Sequence, residues 1–91
     1  MNRDELADFT RRTLGPLLQE TRSAHSLLET LDAYFACNGN HSLAARQLNL
    51  HRNSLIYRLG RARALLGYDL DEPEARLALQ LALKARRVLA L

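Results

Sequence analysis

The sequence predicts an all-α fold, a small domain of about five helices, and three observations carry that expectation. Apolar residues recur at steps of three and four along most of the chain, no stretch alternates apolar and polar residues as a half-buried strand would, and the breaks between periodic segments fall on turn or capping residues. Ninety-one residues make one domain, able to bury a modest core but with little surface left for an active-site cleft. There is no internal repeat and no low-complexity segment.

The first segment, residues 1–22, reads as an N-terminal helix and a connector. Asn2 followed by Glu5 has the spacing of a capping box and opens a helix carrying Leu6, Phe9, Thr13 and Leu14. Gly15-Pro16 ends it, Leu17 and Leu18 continue as a short apolar turn or helix, and Ser23 is placed to cap the second helix. That core helix, over 23–37, sets Leu27, Leu28, Leu31, Tyr34 and Phe35 on one face, to pack beneath the next two helices. Asn38-Gly39-Asn40 is the strongest turn signal in the chain, and Asn40 or Ser42 can cap the helix after it.

Residues 40–66 contain HSLAARQLNLHRNSLIYRLG, which reads as two short helices joined by a tight turn. In the first, Leu43, Ala44 and Leu48 with the small Ala45 form one apolar face. Asn49 marks the stop, because Asn tolerates the left-handed conformation just past a helix end, and Leu50 can tuck back against the helix it has left. The second helix starts near His51 or Arg52, and Leu55, Leu59, Ala62 and Leu66 define its inner stripe. Its outward face then carries Arg52, Asn53, Ile56, Tyr57 and Arg61, and the first turns of such a helix are the part of a helix-turn-helix that reaches base edges in a major groove.

The stretch AARQLNLHRNSLIYRLGRARALLG resembles the C-terminal DNA-binding domain of PucR-type and sugar-diacid bacterial transcription regulators, whose recognition segment has the form H-R-N-[ST]-L-x-Y-R-L. It is similar, more distantly, to the helix-turn-helix of Fis and NtrC proteins. The resemblance runs from Leu14-Gly15-Pro16-Leu17 through TLDAYF to the closing Leu79 to Leu83 segment, and is most specific in the middle. Asn49 stands where many such motifs carry Gly, and Ile56 where relatives often carry Arg, which leaves no base contact expected from position 56. The resemblance implies the DNA-binding output domain of a longer regulator whose upstream part senses a metabolite.

Charge supports the same reading. The net charge is only +3, yet residues 38 to 68 hold five arginines (Arg46, Arg52, Arg58, Arg61, Arg63) and no acid, while residues 1 to 37 hold six acids against four bases. The candidate DNA-binding residues are His51, Arg52, Asn53, Ser54, Tyr57, Arg58 and Arg61. An arginine beside the positive end of the helix dipole is unfavourable without an anionic ligand, so Arg52 points to one, against the blander reading of a solvated surface residue. Ser54 either donates to a phosphate or fills a first-turn position suited to small polar residues. Tyr57 either lies over the sugar-phosphate backbone or packs half-buried against the preceding helix. Arg58 sits near the inner edge, within reach of an acid such as Asp32 or Glu29. Arg61 and Arg63 suit backbone contacts or a solvated face, and His51 a phosphate contact or a simple cap.

Other chemistry finds no constellation. His25, His41 and His51 lie 16 and 10 residues apart with no flanking Cys or carboxylate pair, and Cys37 at a helix end reads as an apolar filler. No phosphate loop, nucleophile elbow or acid/base pair is present, so no catalytic residue, metal, cofactor or small-molecule ligand is expected. No apolar run approaches the ~20 residues a membrane span needs, and a cytoplasmic location, on the nucleoid when bound, is the expectation. After Gly67 the run YDLDEPE breaks the periodicity, and Asp71, Pro73 and Glu74 announce a last helix over 71–89. The closing LALQLALKARRVLAL puts Leu77, Leu81 and Val88 on one side and Leu79, Ala82 and Leu83 on another, more than one core contact needs. A second partner is implied, either an equivalent helix in a two-fold homodimer or the N-terminal helix. The rival to double-stranded DNA binding is a helical interaction or dimerisation module that reads no DNA.

Overall fold

A computed structural model describes all 91 residues as five α-helices and one short 3-10 turn. α1 spans Arg3–Leu14, the 3-10 turn Gly15–Leu18, α2 Arg22–Ala36, α3 His41–Gln47, α4 Arg52–Leu66 and α5 Pro73–Leu89. No strand is present, and no helix is long and apolar enough to cross a membrane.

The capping residues place most of the boundaries. Asn2 caps α1 by accepting the Glu5 N–H at 2.8 Å, and its amide donates back to the Glu5 carboxylate at 3.1 Å. α2 begins two residues earlier than Ser23 predicts: Thr21, the other N-cap type in the connector, is extended and accepts the Ala24 N–H at 3.1 Å. Asn40 caps α3. α5 starts with Pro73 after Glu72, which makes no side-chain cap bond; Asp71 is not the cap, and its own N–H is held by the Asp69 carboxylate at 2.9 Å.

One contiguous core runs through Leu14, Leu17, Leu27, Leu28, Leu31, Ala44, Ala45, Leu55, Leu59, Ala62, Leu70, Leu79 and Leu83. α2, α3 and α4 pack on one another as a three-helix unit, α1 lies along α5, and the 3-10 turn touches α1, α2 and α4 through the fully buried Leu17. Two buried threonines, Thr10 and Thr30, satisfy their hydroxyls on the carbonyls four residues back, at 2.8 Å each. The closing helix therefore has its second partner within the chain: α1 covers it on one side. Leu77, Leu81 and Val88 nevertheless stay exposed.

Candidate nucleic-acid interface

The connection between α3 and α4 sets the site. Leu48 ends α3, Asn49 takes a left-handed φ of 56°, the Asn49 N–H donates to the Arg46 carbonyl at 3.1 Å, and the Leu50 N–H to the Ala45 carbonyl at 2.8 Å. These are the two bonds of a Schellman motif, and Leu50 packs back against the core as its position after Asn49 predicts. The turn before α3 repeats the device with Asn38 at φ 53°. α2 and α3 thus each end on a left-handed asparagine. Ala44 and Ala45 are buried between α2 and α4, their small side chains admitting close approach, and Leu48 packs against the same core. Leu43 does not join them: it is 47% exposed. A seven-residue helix buries a narrow face, and position 43 lies about 100° round from 44.

α4 carries the expected inner stripe, with Leu55, Leu59 and Ala62 buried and Leu66 partly so. Its cap is the His51 ring, whose Nδ1 accepts the Asn53 N–H at 3.2 Å. An accepting Nδ1 assigns the ring proton to Nε2, so His51 serves as the cap and still holds a donor free for an oxyanion. Arg52, Asn53, Ser54, Tyr57 and Arg61 are all exposed. Their side chains make no hydrogen bond or ion pair within the chain. At 66% exposure Tyr57 is not packed against the preceding helix. Asn53, Tyr57 and Arg61, four residues apart, run along the side of α4 opposite its core stripe.

Arg58 corrects an expectation. It is half-buried as its position suggests, but it pairs with neither candidate acid. Glu29 holds His25 at 2.6 Å, and Asp32 is taken by Arg86 and Arg87 of α5 at 3.8 and 3.2 Å. Arg63 at the far end of α4 meets Asp69 at 3.6 Å.

Sequence reasoning misses Gly60. It sits exposed in the middle of α4, and a Cβ there would meet nothing within 4 Å. Glycine in a helix interior costs about 0.5–1 kcal/mol relative to alanine, and no neighbour in the chain explains it. A glycine on the outward face of a helix that packs on its other face was the available signal.

α3, its asparagine turn and α4 together make a helix-turn-helix whose second helix presents its first two turns to solvent. Comparison with known proteins agrees: the family model of the PucR C-terminal helix-turn-helix domain matches residues 27–85. The chain belongs to that family of domains, found in DNA-binding transcription regulators. It is 37% identical to the purine catabolism regulatory protein of Bacillus subtilis over 87 residues, which is 96% of this chain and 16% of that protein. It is also 39% identical over 80 residues to an uncharacterized protein in the pkwA 5' region of Thermomonospora curvata, covering 88% of this chain and 44% of the relative. A Mycobacterium tuberculosis protein, itself uncharacterized, is 40% identical over 57 residues, 63% of this chain and 14% of its own length. The chain thus spans less than half the length of these relatives, and no solved structure gives a significant match.

Proposed function

We propose that this domain binds double-stranded DNA sequence-specifically, with α4 in the major groove, as the output domain of a transcription regulator of the PucR type. One observation carries the reading: the polar side chains on the first turns of α4 are exposed and unengaged, and residues 38 to 68 hold no acid to compete for them. Arg52, in the first turn, reaches base edges, where a guanidinium can bond a guanine O6 and N7 together, worth ~1–3 kcal/mol of discrimination. Asn53 and Tyr57 flank it. Arg61, more than two turns on, meets a phosphate as the helix leaves the groove. His51 Nε2 and Ser54 donate to the backbone at the helix start, and Arg58 lies at the edge of the same face. The regulator works in the cytoplasm, on the nucleoid when bound.

Selection of a preferred duplex from a random pool, followed by titration at two salt concentrations, tests this. Arg52→Ala is expected to weaken binding to the preferred duplex while sparing a scrambled one, and Arg61→Ala to weaken both alike. If Arg52→Ala lowers both affinities equally, that side chain holds phosphate and base reading passes to Asn53 or Tyr57. A chain that binds no duplex at any salt concentration is an interaction module instead.

A further inference from the structure

α5 carries more apolar surface than the chain covers. Leu79, Ala82, Leu83, Ala85 and Leu89 are buried, whereas Leu77, Leu81 and Val88 on the opposite side are 67%, 46% and 77% exposed. With the exposed Glu74 and Lys84, they fall at residues 74, 77, 81, 84 and 88, steps of three, four, three and four. That is the seam spacing of a two-helix coiled coil rather than a scatter of surface leucines. Neither Glu74 nor Lys84 has an ion-pair partner in the chain.

We propose that this seam pairs antiparallel with the same seam of a second copy, Leu77 of one facing Leu81 of the other and Glu74 facing Lys84. Charge chooses the direction. Antiparallel pairing about a two-fold axis near Leu79 makes two Glu–Lys contacts, whereas a parallel arrangement sets Glu74 against Glu74 and Lys84 against Lys84. The partly exposed Ala78 beside the seam is small enough to let the second backbone approach. With the axis near Leu79 the two copies of α5 overlap over residues 73–85, about 20 Å, and Val88 lies outside the contact. A single helix face of that length falls short of the ~800 Å² per partner of a stable interface. The pair is accordingly weak, and it does not depend on the DNA-binding reading.

Sedimentation of the full chain without DNA, up to several hundred micromolar, tests the proposal. A concentration-dependent dimer is expected, lost in Leu77→Lys with helicity unchanged, since that side chain is already mostly in solvent. Glu74→Lys and Lys84→Glu should each weaken the dimer by about tenfold, and the double swap should restore it. Lys84→Glu is the sharper arm, because it lowers the net charge and would favour association if bulk repulsion were in control. A monomer at every concentration overturns the proposal and assigns the stripe to another occupant. A dimer indifferent to the single swaps overturns it too, by placing the contact in another register or on another surface.

Discussion

Two helices of this chain carry arginines and use them in opposite ways. On α5, Arg86 and Arg87 converge on Asp32 of α2, whose side chain is only 17% exposed. On α4, Arg52, Arg58 and Arg61 meet no acid at all. A carboxylate sheltered from water interacts more strongly than an exposed one, so the first set ties α5 to α2. The second set gains no ion pair from the fold and adds mutual repulsion, which an external polyanion would relieve. Residue type does not distinguish them. What distinguishes them is the element packed opposite.

The largest effect should come from the support beneath α4. Leu55 is fully buried, and Leu55→Ala is expected to cost ~2–5 kcal/mol, read as a fall in the thermal midpoint of ~4–8 °C per kcal/mol. A melt within a degree or two of wild type would mean that the inner face of α4 is misassigned.

Asp32→Asn sharpens the comparison itself, because it frees both α5 arginines and leaves the charge of the sheltered Arg86 uncompensated. A loss of ~1–3 kcal/mol is expected in urea unfolding, while Arg61→Ala should stay within about ±0.5 kcal/mol of wild type. Equal effects from the two would erase the distinction between arginines that hold the fold and arginines that do not.

Gly60→Ala gives a small change in stability and the most telling sign. The helix should gain ~0.5–1 kcal/mol, since the added methyl meets nothing, yet duplex binding should weaken if the DNA backbone passes close to that position. A variant that is both more stable and binds as well as wild type would leave Gly60 without a role.

The elements are legible in the sequence where one residue decides the local outcome. Asn49 can be read as left-handed, Leu50 as returning to α3, and Leu55, Leu59 and Ala62 as the inner stripe, because backbone sterics and helical periodicity are local. Thr21 and Ser23 are both N-cap types two residues apart, so local preference does not choose between them, and it is Thr21 that holds the Ala24 N–H. The expected partner of Arg58 fails for a tertiary reason: sequence does not say which helix packs beside Asp32, and only the approach of α5 reveals that Arg86 and Arg87 reach it. Leu43 fails because the width of a buried face in so short a helix is fixed by its neighbours. In the site, the outward-facing α4 residues are implied by the stripe, whereas the double role of His51, with Nδ1 as cap and Nε2 left free, needs the ring geometry.

The claim that Arg52, Arg58 and Arg61 of α4 are kept for DNA is tested most directly by the salt dependence of duplex binding in wild type, Arg61→Ala and Arg87→Ala, both residues being exposed arginines. The account predicts that Arg61→Ala lowers the log-log slope by about one unit, the share of a single phosphate neutralised, while Arg87→Ala leaves it unchanged. Equal slopes in all three proteins, or the same decrease in both variants, would contradict it.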